Sequence, residues 1–110
     1  MDKKLKAKWV KALRSGKYEQ SQGYLKDELD EGRFGFCCLG VLRDVISPKS
    51  NLRGDADEEV CIADNEGGEH LHPKHAKLAG LTPPQQTKLA EANDQGKSFK
   101  WIAGYIQRYL

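Results

Sequence analysis

The run Phe34-Gly35-Phe36-Cys37-Cys38-Leu39-Gly40-Val41-Leu42 is the densest apolar stretch of a chain whose mean hydropathy is −0.72. A polar chain of 110 residues can build one modest core, so it must build it around the few apolar clusters it has. Within 37–46, Cys38, Val41, Leu42 and Val45 recur at i, i+3, i+4 and i+7, and Leu39 and Ile46 cover a second side. That pattern predicts a helix apolar nearly all round, which is a buried one. Gly40 costs such a helix about 1 kcal/mol relative to Ala and implies that another backbone comes close. Pro48 ends it.

The flanks must then pack on this helix. Leu5, Trp9 and Leu13, widened by Val10 and Ala12, predict an amphipathic helix over 3–14 that stops at Gly16 and shows Lys3, Lys4, Lys8 and Lys11 outward. Residues 17–36 alternate weakly, and Asp27 to Gly32 reads as an acidic turn from which 33–36 returns, so a loose hairpin is expected. A polar loop over 47–57, a short strand over 59–63 and a turn over 65–68 follow. Residues 73–79 read as one or two helical turns closed by Gly80. Thr82-Pro83-Pro84-Gln85 has the form of a capping box with proline at the first helical position, opening a helix that runs to about Asn93. Gly96 breaks it and Ser98 caps the last helix, whose inner face is Phe99, Ile102, Ala103, Ile106 and Leu110. The expectation is one α+β domain over 1–110, with three or four helices around the 37–46 helix and a small, short-stranded sheet.

The net charge of +2 hides a segregation. Residues 1–18 carry seven Lys/Arg against Asp2 alone, 27–69 carry twelve acids against four bases, and 70–110 carry six bases against Glu91 and Asp94. Either the basic ends fold against the acidic middle, or they form a basic face opposite an acidic one. No apolar run approaches the ~20 residues of a membrane span. The N-terminal lysines are not followed by an apolar segment, so no secretion signal is expected. Three cysteines, two of them adjacent, suit free thiols in a reducing cytoplasm.

Four constellations bear on chemistry. Cys38 at the start of a buried helix is where a cysteine hydrolase keeps its nucleophile, since the helix dipole lowers the thiol pKa. Cys38-Leu39-Gly40-Val41-Leu42 resembles the Cys-Ser-Gly-hydrophobic-hydrophobic opening of NlpC-type peptidoglycan hydrolases, departing at the Ser. That alternative needs His70 or His72 as its base, whereas the simpler reading makes both thiols small buried hydrophobes. Cys61, His70, His72 and His75 supply four metal-ligand types, but their spacing fits no standard zinc site, and no metal or cofactor is expected. The 83–110 hairpin has helix-turn-helix proportions. Its Lys97, Ser98, Lys100 and Trp101 can touch phosphates but offer little to read bases, and a pI of 8.4 is low for a DNA binder, so DNA is the weaker alternative. Trp101 and Tyr105, with Arg108 and Tyr109 beyond, form a second face on the last helix. It either packs on the N-terminal helix and Trp9 or faces a partner, because Trp, Tyr and Arg dominate interfaces.

Trp9-Val10-Lys11-Ala12-Leu13-Arg14-Ser15-Gly16-Lys17-Tyr18, then Gly23-Tyr24-Leu25, Phe36 to Leu42, and Leu89 to Ala103 together resemble a family of small uncharacterised proteins encoded by bacteriophages and prophages. The family's counterpart of Leu71 to Leu81 lacks histidines. The resemblance implies a setting, the cytoplasm of an infected bacterium, rather than a chemistry. The functional expectation is a non-enzymatic phage accessory protein that binds a host or defence protein or a small signalling nucleotide. Its binding residues would be Lys97, Lys100, Trp101, Tyr105, Arg108 and Tyr109, and a homodimer through the same stripe is a further arrangement.

Overall fold

The computed structural model describes residues 1–30, 33–46 and 70–110. Five helices and three strands lie among them: α1 Lys3–Arg14, β1 Glu19–Gln20, β2 Lys26–Asp30, β3 Arg33–Phe36, α2 Cys38–Ile46, α3 Pro73–Ala79, α4 Pro83–Asp94 and α5 Phe99–Tyr109. The fold is α+β. The strand, loop and turn expected over 47–68 lie outside the described residues.

Helix α2 is the centre, as its all-round apolar pattern requires: every residue from Cys38 to Arg43 is buried. Helices α1 and α4 and strand β3 lie against it, and α1 also packs along α5. Trp9, Val10 and Leu13 of α1 enter the core with Phe99, Ile102, Ala103 and Ile106 of α5. Each large apolar side chain so buried contributes on the order of 2 kcal/mol. Trp9 is wholly enclosed, and its indole N–H donates to the Cys38 carbonyl at 2.9 Å, which satisfies the polar end of a buried indole.

Local signals place the helix ends. The Asp2 carboxylate accepts from the Leu5 amide at 2.8 Å, Thr82 and Gln85 complete a reciprocal capping box, and the Ser98 hydroxyl accepts from the Trp101 amide at 3.1 Å. Gly16, Gly80 and Gly96 follow helix ends with positive φ.

The sheet differs from the expected hairpin. Its order is β1-β3-β2: β2 pairs antiparallel with β3, and β1 pairs parallel with β3 through Glu19–Gly35 and Gln20–Phe36. The first arm of the hairpin is 26–30, the segment read from sequence as an acidic turn. β2 is an edge strand largely open to solvent, so no buried face imposes an alternation that a sequence pattern could show. Backbone pairing holds it, and Arg33 bridges Glu19 at 3.0 Å and Asp30 at 3.2 Å across the sheet.

One side chain ties these layers together. Asn93, in the last turn of α4, has no exposed surface. Its Oδ1 accepts from the Cys38 amide at 3.2 Å and from Gln20 Nε2 at 2.9 Å, and its Nδ2 donates to the Ser21 carbonyl at 2.7 Å. The Cys38 amide is one of the unsatisfied donors at the start of α2, so Asn93 caps that helix from another element. Gln86, also buried in α4, accepts the Leu71 amide at 2.8 Å and so fixes the chain entering α3.

Candidate functional site

Cys37 and Cys38 are buried at the head of α2, whereas His70, His72 and His75 lie just before and on α3. Cys38 has no exposed surface, and its Sγ lies 3.5 Å from the Leu89 carbonyl, as a donor to it. Burial, then the neighbouring Cys37 sulfur, raises its pKa well above the ordinary thiol value. Cys37 is likewise pushed up to about 11, chiefly by burial. His70 Nε2 is 3.2 Å from Thr87 Oγ1, and His72 Nδ1 accepts the Lys74 amide at 3.2 Å, capping α3. His75 is buried on α3, its ring 6.3 Å from that of His72. A hydrolase working through Cys38 needs an accessible thiolate held by a histidine, and the geometry supplies a buried, protonated thiol on backbone carbonyl. Cys61 lies outside the described residues, and among those described no group of three or more His, Cys, Asp or Glu could hold a metal ion. Nor is any described helix long and apolar enough to cross a membrane.

Helix α5 carries the remaining chemistry. With its inner face given to the core, the residues at i, i+4 and i+8 on the adjoining face emerge towards solvent. Trp101 is 46% exposed and Tyr109 64%, while Tyr105 between them is partly covered. The rings form a row: Trp101 stacks on Tyr105 with centroids 5.8 Å apart and planes 17° apart, and Tyr105 meets Tyr109 at 4.8 Å. Tyr105 packs against the core cluster that contains Trp9, while Trp9 itself is enclosed and bonded to the Cys38 carbonyl of α2. Lys97 Nζ stands 5.0 Å from the Trp101 ring centre, a cation–π contact worth about 0.5–1 kcal/mol at an exposed position.

Two hollows share this row as a wall. One is a cleft of about 170 Å3 between α4 and α5, bounded by Leu89, Glu91, Ala92, Gln95, Trp101 and Tyr105 with Lys88 and Lys97 at its rim. The other is a wider, open depression of about 640 Å3 over Lys100, Trp101, Gly104, Tyr105, Arg108 and Tyr109. Lys88, Lys100 and Arg108 pair with no carboxylate among the described residues.

Gly104 sits on the outer crest of α5 in open space, where an added β-carbon would meet nothing within 4 Å. Glycine in a helix interior is destabilising by about 1 kcal/mol against Ala, and no packing within the described fold calls for it. Its effect is to leave a notch between Lys100 and Arg108, which lie four residues to either side.

On the other flank of α5 lies α1, which carries Lys3, Lys4, Lys6, Lys8, Lys11 and Arg14 and no acid between Lys3 and Arg14. Lys6 Nζ donates to the Gln107 carbonyl at 3.3 Å, and Arg14 Nη2 donates to Gln107 Oε1 at 2.7 Å. A cation on a carbonyl in the last turn of a helix opposes the negative end of its dipole, which helps to pin α1 along α5. Along the face of α1 next to Gln107 runs an open groove of about 710 Å3 lined by Lys3, Lys6, Ala7, Val10, Lys11 and Arg14. The lysines of α1 thus lie beside the last turn of α5, while Glu19, Asp27, Glu28 and Asp30 stand on the sheet; most of the acids of 27–69 lie outside the described residues.

The structure brings together all six residues expected from sequence to bind: Lys97, Lys100, Trp101, Tyr105, Arg108 and Tyr109. Sequence reasoning missed Lys88, the cleft beneath Trp101 and the groove along α1. The like-signed lysines of α1 were its only visible signal, and they read equally well as a solvated helix face. Residues 1–75 match a family described as a domain of unknown function, DUF8296. Neither a curated protein nor a solved structure matches the chain.

Proposed function

The chain belongs to the DUF8296 family, to which no activity is attached, and from the geometry of α5 we propose a non-enzymatic protein that acts by binding an anionic partner. The observation that carries this reading is the half-exposed aromatic row Trp101–Tyr105–Tyr109, flanked by Lys88, Lys100 and Arg108 with no carboxylate partners among the described residues. Aromatic and arginine side chains at an exposed surface are the usual anchors of a binding face. The resemblance to phage and prophage proteins supports an accessory role in the cytoplasm of an infected bacterium. There the partner is an acidic surface of a host or defence protein, or a ligand bearing phosphate.

An affinity capture from infected-cell lysate tests this. Wild-type protein and a Trp101→Ala/Arg108→Ala variant are compared, with proteins, nucleic acids and small molecules all identified in the eluates. A partner retained by the wild type and lost by the variant is expected. If the two eluates match, the α5 face is not the working surface.

A further inference from the structure

Resting on that reading, we infer that the anionic partner is single-stranded nucleic acid, with a base in the cleft against Trp101 and the backbone running over α5 into the α1 groove.

Three features of the surface converge on this chemistry. The first is size. A cleft of about 170 Å3 is close to the ~150 Å3 of a cavity that holds one benzene ring, so it accepts one planar ring and little more. Its walls are unusual for an aliphatic or protein side-chain pocket. They pair an aromatic row with Glu91 and Gln95, a carboxylate acceptor and an amide that offers both donor and acceptor. That combination matches a base, which presents a π face and a polar edge at once. Lys88 and Lys97 at the rim lie where the attached phosphates would emerge.

The second is the groove on the opposite flank. Its four cations, Lys3, Lys6, Lys11 and Arg14, are met by no acid in the lining among the described residues. The span from Lys3 to Arg14 is about 16 Å at the helical rise, so the four cations form a line that can meet roughly four phosphates of one strand. Repeated anions along a line are the property of a polyanion. An acidic protein patch presents scattered carboxylates and has no reason to need a groove.

The third is the crossing point. Gly104 is one helical turn before Gln107, which borders the groove, and it is also part of the depression beside the aromatic row. It lowers the floor of that depression, with Lys100 and Arg108 four residues to either side. A glycine that costs helix stability and relieves no contact among the described residues is accounted for if a chain crosses there. Single-strand binders combine these parts, a cationic track for the backbone and aromatic side chains for the bases. A duplex keeps its bases stacked and cannot place one in the cleft.

Titration of the full chain with a fluorescein-labelled twelve-nucleotide single strand, followed by anisotropy and by tryptophan emission, tests the proposal. Trp9 is enclosed and Trp101 is not, so quenching reports the cleft. Binding is expected, with Trp101 quenched and a slope of log K against log salt of about −3, as for roughly four phosphates on a single strand. Lys3→Gln/Lys11→Gln should weaken binding about tenfold and flatten the slope. Gly104→Gln, which keeps a good helix former, should weaken it severalfold. The proposal is overturned if the strand does not bind at low salt. It is also lost if a duplex binds as tightly, if a mononucleotide binds as tightly as the strand, or if heparin competes equally without quenching Trp101. A nuclease-resistant protein partner that is captured by wild type and lost by the Trp101→Ala/Arg108→Ala variant would remove this inference and leave the broader binding role standing.

Discussion

A β-carbon on Gly40 of α2 would lie 1.7 Å from the carbonyl oxygen of Leu25, far inside any van der Waals contact. The same carbonyl accepts the Cys37 amide at 3.3 Å, so the backbone before β2 rests directly on the first turn of α2. The glycine admits that approach, and the approach sets where the sheet meets the central helix.

Gly40→Ala is therefore expected to destabilise the protein by about 3 kcal/mol or more, despite the better helix propensity of alanine, because the atom it meets is backbone rather than a movable side chain. Urea unfolding followed by circular dichroism checks this. A neutral or stabilising result would mean that Leu25 does not sit where the structure puts it.

The same substitution at Gly104 should have the opposite sign. There the new methyl group enters open space, so Gly104→Ala is expected to stabilise α5 by about 0.5–1 kcal/mol. Thermal melts of the two alanine variants, run side by side, separate a glycine kept for packing from one that the described fold does not need.

Asn93→Ala strips the Cys38 amide, the Gln20 amide group and the Ser21 carbonyl of a shared partner. Leaving buried polar groups unpaired costs about 1–3 kcal/mol each where water cannot replace the bond. A loss of about 3 kcal/mol in denaturant unfolding is expected, against less than ~1 kcal/mol for alanine at the exposed Glu91 of the same helix.

Cys37 and Cys38 should resist a thiol reagent in the native state at pH 8 and react fully once the chain is unfolded. Their burial also sets a pH dependence. The unfolded Cys37 thiol ionises near its ordinary value of 9.0, while the folded one keeps its proton up to about 11. Between those values the folded state binds more protons, so stability falls as pH rises, by about 2–3 kcal/mol from this group across the window. Cys38 shifts in the same direction. So does Tyr18, through partial burial and its hydroxyl's hydrogen bond to Asp44, which extends the decline to higher pH. Unfolding free energies measured from pH 8 to pH 11 should show this loss, and Cys37→Ala should make it shallower.

The helices were legible because their causes are local. The apolar period of 37–46, the Thr82–Gln85 capping box, Ser98 and the glycines after helix ends act within a few residues, and the structure places α1, α2, α3, α4 and α5 where they point. The edge strand β2 was not legible, since an exposed strand held by backbone pairing leaves no side-chain pattern. Asn93 was equally hidden: nothing in its own helix shows that its amide caps another one. The Trp101–Tyr105–Tyr109 row was visible as a second face of α5, but its exposure depended on which partner claimed Trp9. Tertiary packing gave Trp9 to α2 and laid α1 along α5. That brings like charges together. It is tolerated because surface charges are screened beyond about 8–10 Å, whereas each large apolar side chain buried between the helices contributes on the order of 2 kcal/mol. The sequence by itself determined which segments are helical and which residues are basic; burial of the shared core decided that α1, with its lysines outward, lies along α5.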